Sequence, residues 1–91
     1  PSASEAHAMS LLRCYVGILA DQNRISSRFL ISPDKFLAIC RNKKLSIDQM
    51  VEKKLISAGA AELIGKELIS LLNGSSALRI SNTGVQVVPM D

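Results

Sequence analysis

The feature that most constrains the fold is a closely spaced pair of helix-start signals in the middle of the chain, at Ser32 and Ser46. Ser32 is a good N-cap residue, and Pro33 after it suits the first helical position, where no N–H donor is needed. Ser46 is followed three residues later by Gln49, which is the pattern of a capping box. The sequence therefore predicts two short helices here, joined by the basic turn RNKK at residues 41–44.

A longer helical pattern lies on each side of this pair. From about residue 5 to residue 22, apolar side chains recur every three or four positions, which is typical of a helix with one face on a core. A second such stripe runs from residue 57 or 58 to residue 72 and ends at Asn73–Gly74, a common helix stop. We expect these two helices to pack against each other. The predicted contact is formed by Leu12, Tyr15, Leu19, Ile64, Leu68 and Leu71.

The two remaining segments lack this pattern. Residues 23–31, NRISSRFLI, break the helical period and are predicted to form a loop that buries Phe29 and Leu30. Beyond residue 74, ALRIS and VQVV alternate on either side of NTG, which predicts a β-hairpin. The predicted organisation is a flexible N-terminal segment at residues 1–6, a helical domain at 7–74 and a C-terminal hairpin or tail at 75–91.

The composition limits both the core and the fold class. Apolar residues make up 47% of the 91 residues but aromatic residues only 3%, so the core must be aliphatic, which favours helices. We therefore predict an all-α fold: one small bundle of four to five helices, with a short hairpin or extended tail after it. Cys14 and Cys40 fall at apolar helix positions without CxxC spacing, which predicts buried free thiols.

Charge and hydropathy indicate the class of partner. No apolar run approaches the roughly 20 residues needed to span a bilayer, so we expect a soluble monomer that is intracellular, whether nuclear, nucleoid or cytoplasmic, and does not bind membranes. A net charge of +3 and a pI near 9.2 favour anionic partners mildly.

Catalytic patterns are missing from the sequence. His7, the single histidine, lies near the N-terminus without a predicted partner, and the carboxylates are spread singly over predicted helix surfaces. There is no GxxxxGK[ST] phosphate loop. We expect no catalytic residue, no metal site and no cofactor.

One set of positions between Leu11 and Leu72 follows the pattern of a known helical domain. These positions are Leu12, Arg13, Tyr15, Leu19, Ala20, Ile31, Ser32, Phe36, Ile39, Arg41, Ser46, Ile47, Met50, Glu62, Ile64, Gly65, Glu67, Leu68 and Leu71. The pattern resembles the HRDC domain, the helicase-and-RNase-D C-terminal module of RecQ-type helicases and ribonuclease D-type exonucleases. The chain departs from that family at KKLISAG, where an aliphatic-Pro-Gly turn is common, and in the hairpin after residue 74.

The resemblance implies a non-catalytic accessory domain that binds single-stranded or structured DNA or RNA weakly, for a helicase or exonuclease on the same parent chain. Among the basic residues, Arg24 and Arg28 lie in a predicted loop where no helix end explains a cation. Together with Arg41, Lys43 and Lys44 they form the predicted nucleic-acid-binding patch. Because no exposed aromatic ring is predicted, binding should be sequence-independent and salt-sensitive, with Kd of about 10⁻⁴ to 10⁻⁶ M.

Two other functions fit the same pattern. The domain could be a winged helix, with the hairpin as the wing and a recognition helix that exposes Glu62, Lys66, Glu67, Ser70 and Asn73. It could instead bind other domains of the parent enzyme or a protein partner, through the hairpin edge or through Leu63 and Ile69. Salt-dependent binding of an oligonucleotide separates nucleic-acid binding from protein binding.

Overall fold

Five α-helices and one 3₁₀ helix precede a two-stranded antiparallel sheet in the computed structural model, which describes residues 1–90. The elements in chain order are α1 (Ala3–Asn23), α2 (Ser27–Leu30), a 3₁₀ helix (Pro33–Lys35), α3 (Phe36–Arg41), α4 (Ile47–Glu52), α5 (Ala58–Leu72), β1 (Ser76–Ser81) and β2 (Gly84–Pro89).

The first helix begins earlier than its apolar stripe indicates. Ser2 and Glu5 form a capping box, in which the Glu5 N–H donates to Ser2 Oγ at 3.1 Å and the Ser2 N–H donates to Glu5 Oε1 at 2.9 Å. These bonds satisfy N–H groups that have no partner inside the helix. As a result, α1 starts at Ala3, within the segment 1–6 that the sequence analysis treats as flexible.

The two short central helices begin in different ways. At α4 the capping box is confirmed: the Gln49 N–H donates to Ser46 Oγ at 3.2 Å, and the Ser46 N–H donates to Gln49 Oε1 at 2.9 Å. Ser32 also stands at the N-cap position, of the 3₁₀ helix, but its hydroxyl donates to the Asp34 carboxylate and its side chain accepts no backbone N–H. The predicted position of the cap is therefore right, and its predicted side-chain hydrogen bond is wrong. The chain instead makes a 3₁₀ turn at Pro33 before α3 starts.

The core lies between α1 and α5 and is closed by the short helices. Of the six residues predicted to form the contact, five are buried, and Leu68 is 0% exposed. The sixth, Leu71, is only half-buried and packs at the edge of the core. The Tyr15 hydroxyl donates to the Glu67 carbonyl at 3.2 Å and so ties α1 to α5. The buried cluster consists of Leu12, Tyr15, Val16, Leu19, Ala20, Leu30, Ile31, Phe36, Ile39, Met50, Ile56, Ala60, Ile64 and Leu68.

Two burial predictions are wrong. Phe29 is 77% exposed, because the single turn of α2 directs the next residue, Leu30, into the core instead. Cys14 is exposed because, at about 100° per residue, it lies on the side of α1 opposite the buried residues Leu12 and Val16. Cys40 is only half-buried. Burial raises the pKa of the Cys40 thiol.

The C-terminal hairpin shows that the all-α prediction is wrong. β1 and β2 pair antiparallel from Ser76↔Pro89 to Ser81↔Gly84, which leaves Asn82 and Thr83 as a two-residue loop. Leu78 and Val87 lie opposite each other and pack against the helical core. The architecture is therefore a mostly helical bundle with a β-hairpin packed on it; Asp91, within the predicted range 75–91, lies outside the described residues.

Candidate nucleic-acid interface

Among the predicted basic residues, Arg28 lies at one end of α5 and the pair Lys43 and Lys44 at the other. Arg28 lines a groove beside Ser57 and Ala58, where α5 starts. Lys43 and Lys44 line a second groove that reaches the last residues of α5. A helix of this length extends about 20 Å. The structure therefore does not bring the five predicted cations together in one patch.

The first of these, the α5 N-terminal groove, is defined by the cations Arg28, Lys35 and Lys54 and has a volume of about 380 Å³. Its other lining residues are Phe29, Leu30, Ser32, Val51, Leu55, Ile56, Ser57 and Ala58, and none of them is a carboxylate. The nearest ion pair is a long one, 4.0 Å between Lys35 Nζ and the exposed Asp34 carboxylate. Three cationic residues therefore line one groove, and among the ion pairs of residues 1–90 only Lys35 of the three has a partner.

The position of Lys54 in this groove follows from the way α4 ends. The Lys54 N–H donates to the Val51 carbonyl at 3.0 Å and the Leu55 N–H donates to the Met50 carbonyl at 2.9 Å, which together form a Schellman motif. This motif requires a left-handed residue, and Lys54 has φ of 61°. A lysine therefore occupies a position that normally favours glycine, next to the first turn of α5.

The same motif ends two other helices. At the end of α1 the left-handed residue is Arg24, with φ of 57°, and at the end of α5 it is Gly74. Arg24 is exposed but is not among the residues that line either groove. Arg24 and Lys54 are the two non-glycine residues with positive φ within residues 1–90.

An exposed aromatic ring borders the α5 N-terminal groove. Of the three aromatic residues in the chain, Tyr15 is buried, and Phe36 is buried with the Arg13 guanidinium 5.3 Å from its ring centre. Phe29 follows Arg28 in α2 and is the one ring left exposed. Exposed rings beside cations are the usual means of binding unpaired bases.

The start of α5 adds to the positive potential of this groove. Ser57 caps the helix by accepting the Ala60 N–H at 3.1 Å. The positive end of the helix dipole points toward the groove, because Ser57 and Ala58 line it. This contribution has the same sign as the charges of Arg28, Lys35 and Lys54.

Arg41 is engaged elsewhere. Its Nε donates to Glu5 Oε2 at 2.6 Å and its Nη2 donates to Glu5 Oε1 at 3.2 Å. This two-pronged ion pair joins the end of α3 to the first turn of α1 and lowers the pKa of Glu5 to about 2. Arg41 also borders a small groove with Lys43 and Lys44, but its charge is already matched by a carboxylate.

The face of α5 that a winged helix would use as a recognition surface borders the hairpin. Lys66, Glu67 and Ser70 line a groove together with Val87 and Pro89 of β2. Ser70 is half-buried. This arrangement does not favour insertion of that face into a DNA groove.

Sequence reasoning missed Lys35, Lys54 and Phe29 as candidate site residues. A lysine near a predicted helix end, such as Lys54, is favoured by the helix dipole whatever the function, and an apolar residue such as Phe29 is predicted to be buried. The sequence does contain one indication for Lys54, which is the short separation between Lys54 and the next N-cap, Ser57. Two helices joined by so short a connection place the end of the first beside the start of the second.

The described part of the chain also lacks a metal-binding cluster and a membrane-spanning helix. Over residues 1–90, no three His, Cys, Asp or Glu side chains come close enough together to bind a metal ion. No helix in that range has the length and apolarity needed to cross a bilayer. Comparisons with protein-family models, curated proteins and solved structures found no match to this chain.

Proposed function

We propose that this chain is a non-catalytic accessory domain that binds nucleic acid weakly through the α5 N-terminal groove. The observation that carries the proposal is the convergence of Arg28, Lys35 and Lys54 on one groove that lacks a carboxylate and is bordered by the exposed Phe29 ring. The resemblance to HRDC domains supports the same class of function, and it extends the proposal to a helicase or exonuclease on the same parent chain.

In this proposal the cations neutralise phosphates and the ring stacks on a base. Arg28 can donate two parallel hydrogen bonds to one phosphate, whereas Lys35 and Lys54 act as point charges. Stacking of one base on an aromatic ring contributes about 1 to 3 kcal/mol, and it does not depend on which base is stacked. Binding through these groups is therefore independent of sequence and favours unpaired bases.

The salt dependence of binding follows from the number of phosphate contacts. Each contact with a single strand contributes about −0.7 to the slope of log K against log salt concentration. Three contacts predict a slope of about −2 and a weak, salt-sensitive affinity. Such affinity suits a tethered domain, because tethering raises the local concentration for a neighbouring enzyme.

The decisive experiment compares Lys54→Gly with Arg24→Gly in a fluorescence anisotropy titration of a labelled oligothymidylate at several salt concentrations. Both changes remove one cation from a left-handed backbone position, where glycine relieves about 1 kcal/mol of strain. Both variants should therefore be at least as stable as the wild type, which separates lost binding from unfolding.

Lys54→Gly should weaken binding and flatten the salt slope by about 0.7, because one phosphate contact is lost. Arg24→Gly should leave the affinity close to that of the wild type. Equal losses in both variants would mean that the groove is wrongly placed. A wild type without salt-dependent binding would refute the proposed function.

A further inference from the structure

The opposite end of α5 carries a second groove of different character. This α5 C-terminal groove has a volume of about 790 Å³ and is defined by Lys43 and Lys44 together with the aliphatic side chains of Leu45, Ile69 and Leu72. The three aliphatic residues are half-buried, so each packs on the core with one side and remains accessible on the other.

The two lysines at this groove have no acidic residue beside them in its lining. Its remaining lining residues are Ser46, Gln49, Asn73 and Gly74, and none is acidic. Neither lysine forms an ion pair within residues 1–90. The groove therefore combines an aliphatic floor with positive charge.

Three backbone carbonyls at the C-terminal end of α5 already accept hydrogen bonds. The Asn73 N–H donates to the Ile69 carbonyl at 2.9 Å, the Gly74 N–H to the Leu71 carbonyl at 3.2 Å and the Ser75 N–H to the Ser70 carbonyl at 2.9 Å. Carbonyls that already accept hydrogen bonds contribute less free partial charge at a helix end. An incoming carboxylate therefore meets mainly the lysine charges.

The floor of the groove distinguishes between two classes of anionic ligand. A single-stranded nucleic acid gains affinity from stacking on a ring, and no aromatic residue lines this groove. An amphipathic helix instead inserts aliphatic side chains at every third or fourth position, which is what an aliphatic floor accommodates. The composition of the groove thus favours a peptide over a nucleic acid.

We propose that the α5 C-terminal groove binds an acidic amphipathic helix of a partner protein. Leucine-like side chains of that helix contact Leu45, Ile69 and Leu72, and its Asp or Glu residues pair with Lys43 and Lys44. The site is separate from the α5 N-terminal groove, so it does not rest on nucleic-acid binding.

The test uses a fluorescein-labelled synthetic helical peptide with leucines at i, i+3, i+4 and i+7 and glutamates on the flanking positions. One control peptide carries lysine in place of every glutamate, and another carries serine in place of every leucine. The protein variants are Lys43→Glu with Lys44→Glu, and, as a matched charge reversal at the other end of α5, Lys54→Glu. All three lysines are exposed, and a thermal melt confirms that each variant is folded.

The acidic peptide should bind the wild type and Lys54→Glu alike, and the double variant about tenfold more weakly, because two rim charge pairs become repulsive. The lysine peptide should show the reverse preference and bind the double variant better than the wild type. The serine peptide should not bind. Amide chemical shifts should move at residues 43–46 and 69–74.

Three results would overturn this proposal. The first is equal binding of the acidic peptide to the wild type and the double variant. The second is an equal loss in Lys54→Glu, which would mean that only overall charge matters. The third is a double variant that loses oligothymidylate binding while the acidic peptide fails to bind the wild type, which would assign the groove to nucleic acid.

Discussion

At the scale of a single residue, the neighbours Phe29 and Leu30 have opposite environments. Phe29 lies next to Leu30, which is 2% exposed, so one turn of α2 separates a core residue from a surface ring. A four-residue helix is too short for its apolar period to be recognised in the sequence. That is why the sequence predicted burial for both residues, although the choice of inward side chain is made by packing against α1 and α5.

Substitution of Phe29 tests its stacking role. Phe29→Leu keeps the apolar bulk but removes the aromatic face, so affinity for oligothymidylate should fall by about 5- to 150-fold, as expected for about 1 to 3 kcal/mol per stacked base. Phe29→Tyr keeps the ring and should bind like the wild type. Anisotropy titrations measure both affinities, and the two melting temperatures should stay close to that of the wild type because the position is exposed.

Equal affinity of the leucine and tyrosine variants would show that the ring does not stack on a base. The binding contributed by this groove would then come from phosphate contacts alone.

At the scale of the element, helix starts were well predicted where side chains interact locally. The capping box of Ser46 and Gln49 involves residues three apart, so the sequence contains the whole interaction. The same signal at Ser2 and Glu5 lies before the first residues of the apolar stripe, so the stripe alone predicts a later helix start. At Ser32 the local rule fails, because the side chain is oriented toward the Asp34 carboxylate, to which its hydroxyl donates, and its oxygen accepts no backbone N–H.

Alanine substitution at Ser46 and Ser32 should distinguish a cap that accepts a backbone N–H from one that does not. Ser46→Ala should lower the free energy of unfolding by about 1 kcal/mol, because the Gln49 N–H loses its acceptor. Ser32→Ala removes no bond to a backbone N–H and should cost at most a few tenths of a kcal/mol. Urea denaturation measures both values, and equal losses would contradict the difference between the two caps.

The close approach of α4 and α5 depends on Gly65. A Cβ atom at this position would lie 2.8 Å from Ile47 Cγ1, which is shorter than van der Waals contact allows. Glycine in the middle of a helix costs about 1 kcal/mol relative to alanine, so its presence in α5 is explained by this contact. The packing between helices therefore overrides helix propensity at this residue.

A double-mutant cycle tests this explanation. Gly65→Ala alone should be destabilising, because overpacking typically costs about 1 to 3 kcal/mol and outweighs the gain in helix propensity. In an Ile47→Ala background the same change should be stabilising by about 1 kcal/mol, since the clash is gone. If Gly65→Ala has the same effect in both backgrounds, Ile47 does not explain the glycine.

At the scale of the whole molecule, the sequence predicted a single aliphatic core and the pairing of its two long helices, because both depend on the apolar stripe of each helix. It did not predict how the ends of the helices are arranged around that core. The assembly of Arg28, Lys35 and Lys54 at one groove depends on the angles between α2, the 3₁₀ turn and α4, which no local pattern contains. The docking of the hairpin through Leu78 and Val87 is non-local in the same way.

The ion pair between Glu5 and Arg41 predicts an acid dependence of folding stability. The pKa of Glu5 is lowered from 4.5 to about 2 in the folded chain, mainly by the hydrogen bonds from Arg41. Since the folded pKa lies below the unfolded one, this contribution is present above about pH 4.5 and is lost as the pH falls toward about 2. Glu5→Gln should therefore flatten the decrease of melting temperature over that range.

Arg41→Gln removes the other partner of the ion pair and should also flatten the decrease of melting temperature over this pH range. In that variant Glu5 has no guanidinium to lower its pKa. Asp34, whose pKa is lowered chiefly by the hydrogen bond from Ser32, keeps its own contribution in both variants. Thermal melts from neutral pH to about pH 2 check both variants, and an unchanged pH profile in Glu5→Gln would exclude the ion pair as the cause.

The two grooves are separated by one uninterrupted helix, and this has a mechanical consequence. Within α5 there is no proline or break at which the helix could bend, and Gly65 is held against Ile47. The spacing of about 20 Å between the two ends is therefore constant. Ligands bound at the two ends would therefore stay at a fixed separation. Binding at one end could not affect binding at the other by changing that separation.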